Sequence, residues 1–206
     1  AELGGDSFGY HWIDGDHFAM YLLDVCDHGV CPALLSVSAL NVLRSQSLPD
    51  TDFKQPESVL AALNDAFQME NQNELYFTIW YGVFNKSSPE IKYASAGHPP
   101  ALVIAESGEV SELRTPNIMI GGMPSVDYAS GTLELGSPSR LYIYSDGVYE
   151  VCKPDGAMWS YEEFKEYLVN LEDDESEIDR LYDHVREMNR GQTLEDDFSM
   201  LKVRFR

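Results

Sequence analysis

Four aspartates stand where predicted strands begin or end, and carboxylates in such places can bind metal ions together. They are Asp6, Asp24, Asp146 and Asp196, and two of them have a glycine neighbour, which lets the backbone approach an ion closely. Mn²⁺ and Mg²⁺ prefer hard oxygen ligands, and four such carboxylates brought together would repel one another without a cation. Taken singly, each aspartate is better explained as a turn residue, because Asp readily hydrogen-bonds to its own backbone.

The sequence offers no convincing side-chain nucleophile. Cys26 and Cys31 lack the Cys-x5-Arg pattern of cysteine-dependent phosphatases, and no Gly-x-Ser-x-Gly elbow occurs. Together with Cys152, these cysteines match neither a zinc site nor a disulfide framework. This agrees with a reaction in which metal-activated water is the nucleophile.

Five short motifs containing these aspartates follow one another along the chain. They are Gly-Gly-Asp at 4–6, Leu-Asp-Val-Cys-Asp-His-Gly-Val at 23–30, Ala-Gly-His-Pro-Pro at 96–100, Tyr-Ser-Asp-Gly-Val-Tyr-Glu at 144–150 and Asp-Asp-Phe-Ser-Met-Leu at 196–201. In sequence and spacing they resemble the motif series of the SpoIIE/RsbU-type bacterial serine/threonine phosphatases, the metal-dependent PPM family. The resemblance covers nearly the whole chain, and five motifs in order are specific where one would be weak.

The resemblance implies a site for two Mn²⁺ or Mg²⁺ ions at one end of a β-sandwich. The implied metal ligands are Asp6, Asp24 as the bridging carboxylate, the backbone carbonyl of Val25, Asp146 and Asp196. Asp197 is the less suitable member of its adjacent pair. Two metals about 3.5–4 Å apart lower the pKa of a bridging water and neutralise charge on a phosphoryl group, so Asp24 and Asp146 would serve catalysis through that water.

Two histidines lie in the family-like motifs. His98 belongs to the Ala-Gly-His-Pro-Pro turn, which in the family lies near the metal end. It either contacts substrate, a water or a proton in transit, or supports the turn through a neutral ring, and the sequence leaves both roles open. His28 matches a Gly-His-Gly motif, and for it we favour loop support over metal ligation.

The chain departs from the family pattern after the bridging aspartate. Cys26-Asp27-His28-Gly29 stands where the family usually has Ser-Gly-His-Gly, so Asp27 replaces a small residue. Asp27 either recruits a further cation or forms an ion pair, and the ion pair is the safer expectation. The strand usually found upstream of Gly-Gly-Asp also looks cut short.

Strands must position most of these motifs. Apolar runs bounded by turn residues predict strands at 8–13, 17–25, 75–84, 90–96, 100–105, 110–114, 131–135, 140–145 and 198–205. Asp14-Gly15-Asp16 suits a tight hairpin between the first two. The four strands between 75 and 114 are expected to form one meander.

Helical spacing of apolar residues predicts two pairs of helices. The first pair lies near 31–46 and after Pro56, which suits a helix start. The mostly buried face expected for the 31–46 helix is Leu34, Val37, Ala39, Leu40 and Leu43. In the second pair, Ser160 and Glu163 form a plausible capping box. Because each sheet face must be covered, we expect an α+β fold: a four-layer α-β-β-α sandwich with two mostly antiparallel sheets flanked by helix pairs.

The length of the chain limits the number of domains, and its charge limits the kinds of partner. The 206 residues suit one domain over 1–206, and a chain that starts at Ala1 leads us to expect a piece of a longer multidomain protein. Fourteen Lys and Arg against 35 Asp and Glu give a net charge of −21, which disfavours nucleic acid and anionic membranes. The sparse cysteines and the lack of a signal or membrane-spanning segment favour the cytoplasm.

The resemblance supplies the expected reaction and partners. We expect hydrolysis of phosphoserine or phosphothreonine on a protein substrate, a STAS-type anti-anti-sigma regulator, under control of an upstream sensor or receiver domain. A homodimer is a further possibility. The alternative is a catalytically weak module of the same fold that binds or senses a phosphoprotein. A two-metal hydrolase acting on nucleotides is disfavoured, because the chain is acidic and lacks a phosphate-cradling Gly-Lys loop.

Overall fold

The computed structural model describes residues 3–136, 138–190, 194 and 196–206. Within them the chain forms nine strands and four α-helices. In chain order these are β1 (Ser7–Trp12), β2 (His17–Val25), α1 (Val30–Ser45), α2 (Pro56–Ala66), β3 (Phe77–Asn85), β4 (Glu90–Ala96), β5 (Ala101–Ala105), β6 (Val110–Leu113), β7 (Gly131–Glu134), β8 (Ser139–Tyr144), α3 (Tyr161–Asn170), α4 (Glu177–Met188) and β9 (Met200–Phe205).

The strands form two antiparallel sheets. Among the described residues the first sheet has the order β1-β2-β3-β4-β7 and the second β6-β5-β8-β9. The prediction of one meander through β3, β4, β5 and β6 was wrong, because the chain changes sheets between β4 and β5. Gly97 has a left-handed φ of 67°, and Pro99 and Pro100 have no N–H to continue a ladder, so the chain leaves the first sheet at this point.

Three apolar clusters hold four layers together. One lies between the first sheet and α1 and α2, with Leu43, Leu60 and Tyr81 fully buried. A second lies between the two sheets and contains Trp80 and Leu141. The third joins the second sheet to α3 and α4. The predicted α-β-β-α sandwich is therefore confirmed, since every sheet face is covered by another layer.

The helices begin largely where their sequences indicate. Pro56 is the first residue of α2, and Ser160 forms the predicted capping box with Glu163 at the start of α3. The buried face of α1 was predicted only in part. Ala39 and Leu43 are buried as expected, but Leu34 and Val37 are 62% and 50% exposed, because the helix is rotated so that their side of it faces away from the sheet. The buried set is Pro32, Leu35, Ser36, Ala39 and Leu43.

The pairing registers bring four strand ends to one edge of the sandwich. Ser7 at the start of β1 pairs with Leu23 near the end of β2, and Tyr144 at the end of β8 pairs with Met200 at the start of β9. In antiparallel pairs the end of one strand meets the start of the next. Separately, none of the helices in the described part of the chain is both long and apolar enough to cross a membrane.

Candidate metal centre

Four aspartates flank the strand ends at this edge. Asp6 immediately precedes β1, and Asp24 is the last residue but one of β2. Asp146 begins a short 3₁₀ turn just after β8, and Asp196 comes shortly before β9. The structure therefore brings together all four aspartates that the sequence singled out, and we call them the strand-end cluster.

Two glycines let the backbones of this region crowd together. A Cβ on Gly5 would lie 2.4 Å from the carbonyl oxygen of Val25, so only glycine fits there without displacement of the backbone. A Cβ on Gly147 would lie 2.3 Å from the backbone carbonyl oxygen of Asp197. These approaches join β1 to β2 and β8 to β9 just where the aspartates lie, and they bring the Val25 carbonyl against the segment that carries Asp6.

Asp24 is the most strongly perturbed carboxyl of the cluster. Burial raises its pKa first, followed by the charges of Asp6, Asp146 and Asp196, and together they bring it to about 8. A hydrogen bond with the Asp6 side chain acts in the same direction. An acid with such a pKa retains its proton at neutral pH unless a positive charge replaces that proton.

Asp6 shows the same perturbation to a smaller degree. Burial, with weaker contributions from Asp197 and Asp196, raises its pKa to about 6, although the Ser145 and Ser199 side chains act in the opposite direction. Its Oδ2 is buried without a hydrogen-bond partner among the described residues. A buried carboxylate oxygen without a partner is costly, and it is available to a cation.

The second half of the cluster comes from the ends of β8 and β9. Burial and then the charge of Asp196 raise the pKa of Asp146. The charge of Asp196 also acts on Asp6 and Asp24. Asp197 has a different environment, because its Oδ2 accepts the backbone N–H of Asp6 at 3.3 Å. Asp196 is therefore coupled to the whole cluster, and Asp197 acts as a link between β1 and β9.

His98 lies beside the cluster and is 3% exposed. Its Nδ1 is 2.9 Å from Oγ1 of Thr78, and its Nε2 is buried without a partner among the described residues. Burial lowers the pKa of the ring to about 3, and a weaker contribution from the backbone of Tyr144 raises it. The ring is therefore neutral over the working range of most enzymes.

The loop after β2 is more exposed. Asp27 adopts a left-handed φ of 73°, and its Oδ1 accepts the backbone N–H of His28 at 2.8 Å. This geometry explains the departure from the family-like pattern, because Asp tolerates a left-handed conformation better than most residues and hydrogen-bonds locally. Both side chains are exposed.

Glu150 is a neighbour of the cluster that the sequence analysis did not single out. Partial burial and then the charges of Asp146 and Asp196 raise its pKa. Its backbone N–H donates to the carbonyl oxygen of Asp146 at 2.8 Å. The available signal was its place at the end of the Tyr-Ser-Asp-Gly-Val-Tyr-Glu motif, one turn after Asp146.

The donor atoms of the cluster fit a hard divalent cation. Carboxylate and carbonyl oxygens are the ligands that Mg²⁺ and Mn²⁺ prefer, and the buried Oδ2 of Asp6 has no other partner in the described part of the chain. As the side chains stand, no group of three or more His, Cys, Asp or Glu among the described residues is arranged to hold an ion. The cluster therefore has the chemistry of a metal site, and its carboxylates must converge to bind one.

Comparisons with a family model and with known proteins point to the same family. The family model described as stage II sporulation protein E (SpoIIE) matches residues 14–206. Phosphoserine phosphatase RsbP of Bacillus subtilis (strain 168) is 31% identical over 154 residues, which cover 73% of this chain and 38% of RsbP. Phosphoserine phosphatase RsbU of the same organism is 24% identical over 207 residues, or 98% of this chain and 60% of RsbU. The chain thus spans less than two thirds of either relative.

A solved structure supports the fold. The SiaA-PP2C domain of Pseudomonas aeruginosa superposes with a TM-score of 0.85 at 18% sequence identity. The match covers 99% of this chain and 82% of that one. At this identity the likeness concerns the fold, and it agrees with the two-sheet sandwich described above.

Proposed function

Because the chain belongs to the stage II sporulation protein E (SpoIIE) family, we propose that this domain is a metal-dependent phosphatase that hydrolyses phosphoserine or phosphothreonine on a protein substrate. The observation that carries the proposal is the strand-end cluster. Burial and the charges of three other aspartates raise the pKa of Asp24 to about 8. Such a cluster favours divalent cations, because they replace the protons that the carboxylates otherwise retain.

The chain supplies the ligands in two halves. From the first sheet, Asp6, Asp24 and the backbone carbonyl of Val25 would hold the ions, with Asp24 as the proposed shared ligand. Asp146 and Asp196 come from the second sheet. Two bound Mn²⁺ or Mg²⁺ ions would lower the pKa of a water and offset charge on the phosphoryl oxygens. The protein's part is to hold oxygen donors at fixed strand ends, so that little reorganisation is needed during the reaction.

Two observations concern the substrate. The candidate site lies at strand ends on an edge of the sandwich, where a phosphorylated side chain on another protein can reach it. Two of the relatives, RsbP and RsbU, are named as phosphoserine phosphatases, which favours a phosphorylated serine as the group that is hydrolysed. From the resemblance of the five motifs to those of the SpoIIE/RsbU-type phosphatases, we further propose a cytoplasmic phosphoprotein of the STAS type as substrate and a sensor or receiver domain as regulator. The net charge of −21 favours such a partner over a nucleic acid.

The experiment that tests the activity is hydrolysis of p-nitrophenyl phosphate with Mn²⁺, with Mg²⁺ and with EDTA. Asp24→Ala and Asp146→Ala should each reduce turnover by at least about 100-fold, as expected when a preorganised electrostatic group is lost. Asp183→Ala, in an exposed aspartate of α4, is the matched control and should retain turnover.

The same experiment separates the two candidate functions. Metal-dependent turnover that both cluster variants abolish supports the phosphatase, and a phosphorylated STAS protein is then the next substrate to test. A folded wild-type protein with no turnover, but with stoichiometric binding of a phosphoprotein, would instead identify a binding module of the same fold. Full activity in Asp24→Ala would contradict the bridging role of Asp24.

A further inference from the structure

The two halves of the strand-end cluster belong to different sheets, so the distance between them depends on contacts between the sheets. Asp24 lies in the first sheet and Asp146 follows a strand of the second. A metal site that uses ligands from both halves is sensitive to their spacing, because ligand distances in such sites vary by only about 0.2 Å. A contact between the sheets beside these residues would therefore affect metal binding.

In the first sheet, Thr78 provides a contact between Asp24 and the segment that crosses to the second sheet. It pairs directly with Asp24 in the β2–β3 register. Its Oγ1 lies 2.9 Å from Nδ1 of His98, within hydrogen-bonding distance. The ring of His98 is thus joined to the cross-strand neighbour of Asp24.

On the side of the second sheet, the contact is with the end of β8. The backbone of Tyr144 lies close enough to the His98 ring to raise its pKa, although Nε2 forms no hydrogen bond of normal geometry among the described residues. Tyr144 is the last residue of β8 and stands two positions before Asp146. His98 itself lies in the segment that crosses between the sheets, after Gly97, whose backbone N–H donates to the carbonyl oxygen of Asn117 at 3.1 Å. The ring is therefore held between the two strand ends that carry Asp24 and Asp146.

We propose that His98 is a positioning residue that links the Asp24 strand end to the Asp146 strand end and so sets the spacing of the metal ligands. This rests on the proposed metal-dependent function. With 3% of its surface exposed, the residue is too deeply buried to meet a protein-bound phosphate. Of the two roles that the sequence left open, the burial of His98 and its contact with Thr78 favour support of the turn, and the proposal extends that support to the strand ends that carry the ligands.

Calorimetric titration of the metal-free protein with Mn²⁺ tests the proposal on Thr78→Val, His98→Asn and the double variant. Thr78→Val removes the hydroxyl while it preserves shape. Each single variant should weaken Mn²⁺ affinity by about 10-fold, the lower end of what loss of a residue that orients metal ligands costs. The Mn²⁺ affinity of the double variant should be no lower than that of the more weakly binding single variant, because both substitutions remove the same contact.

Two further variants separate positioning from general stability. Thr78→Ser keeps the hydroxyl and should restore most of the lost affinity. His11→Asn is the matched histidine control, since Nε2 of His11 is also buried without a partner in the described part of the chain, but the residue pairs with Ala19, well away from the cluster. His11→Asn should reduce resistance to urea and leave Mn²⁺ affinity within about twofold.

The outcomes distinguish failure of this inference from failure of the proposed function. If the wild type binds Mn²⁺ and Thr78→Val binds it equally well, the positioning role is wrong and the metal site stands. If both His98→Asn and His11→Asn only lower the urea midpoint, His98 is simply structural. If the wild type binds no Mn²⁺, the proposed function and this inference fall together.

Discussion

Two carboxylate clusters in this molecule have opposite electrostatic environments. The strand-end cluster contains Asp6, Asp24, Asp146 and Asp196. The second, which we call the ion-paired cluster, lies where α4 covers the second sheet. It contains Asp173 and Glu177 with the basic residues Arg140, Lys202 and Arg204.

The protein neutralises the ion-paired cluster with its own cations. Burial alone would raise the pKa of Asp173, but hydrogen bonds from Lys202 and Arg204 outweigh it and hold the pKa at about 2. Glu177 is 1% exposed, accepts a 2.7 Å hydrogen bond from the Tyr142 hydroxyl and contacts Lys202. Basic partners close to a carboxylate favour its charged form, as the lowered pKa of Asp173 illustrates.

The strand-end cluster has the opposite environment. Burial and neighbouring carboxylates raise the pKa of Asp24 to about 8 and that of Asp6 to about 6, and they also raise the pKa of Asp146. Both clusters are acidic and both contain buried groups. Acidity alone therefore does not distinguish the two clusters. What distinguishes them, among the residues that the structure describes, is that only the ion-paired cluster has basic side chains against its carboxylates.

The largest expected effect is on the pH dependence of Asp24→Asn. The carboxyl of Asp24 has an unfolded-state pKa near 3.8 and a folded-state pKa of about 8. The protonated carboxyl is favoured in the folded state, so its contribution to the free energy of unfolding is fully present below pH 4 and is lost as the pH rises through 8. The metal-free Asp24→Asn variant should therefore gain stability over the wild type between pH 5 and 8, by up to about 1.4 kcal/mol per pH unit.

Urea denaturation with EDTA at several pH values measures this gain. Asp183→Asn, on the exposed side of α4, is the control and should show no such trend. A constant difference between Asp24→Asn and the wild type from pH 5 to 8 would mean that the strand-end cluster is not under electrostatic strain.

A substitution in the ion-paired cluster should lower the free energy of unfolding, whereas Asp24→Asn should raise it. Lys202→Met leaves Glu177 buried with only Arg140, at 3.5 Å, as a cationic partner of those described. Removal of one member of a buried pair typically costs 3–5 kcal/mol, so we expect a loss of about 3 kcal/mol in the free energy of unfolding at pH 7.

Lys165→Met is the matched control, because Lys165 pairs with Glu112 at the surface. It should cost less than about 1 kcal/mol. If Lys202→Met were neutral, or if it stabilised the protein as Asp24→Asn does, the two clusters would not differ as described.

A smaller effect is expected from the backbone that brings the strand-end cluster together. Gly5→Ala places a methyl group 2.4 Å from the Val25 carbonyl oxygen and should cost about 2 kcal/mol through local displacement. It should also weaken Mn²⁺ binding. Gly15→Ala, in the β1–β2 hairpin, meets no atom within 4 Å and serves as control. Calorimetry and urea denaturation of both variants would test this, and equal Mn²⁺ affinities would contradict the role of Gly5.

The sequence predicted the layers and most strand positions because local patterns determine them. Pro56 and the Ser160–Glu163 capping box identified helix starts through short-range chemistry. Leu34 and Val37 were wrongly placed on the buried face of α1 because nearly all sides of that helix carry apolar residues, so that Leu34 could not be told from Leu35 by periodicity. The change of sheets at Gly97 was missed because consecutive strands usually pair with each other.

The residues of the candidate site likewise divide into those predicted from the sequence and those recognised only in the structure. Its aspartates were predicted because each lies in a recognisable motif, and the structure gathers them. Glu150 was missed even though it ends a recognised motif, four residues after Asp146, whereas Thr78 was missed because its importance depends on contacts across the fold. Thr78 is an ordinary strand residue until the register places it opposite Asp24 and the crossover places His98 against its hydroxyl.

The most direct test of the central claim is calorimetric titration of metal-free wild type and Asp24→Asn with Mn²⁺ at pH 8. If the strand-end cluster is completed by divalent cations, the wild type should bind Mn²⁺ with release of protons, and Asp24→Asn should bind at least about 100-fold more weakly or with fewer ions. Equal affinity and stoichiometry in the two proteins would contradict the claim.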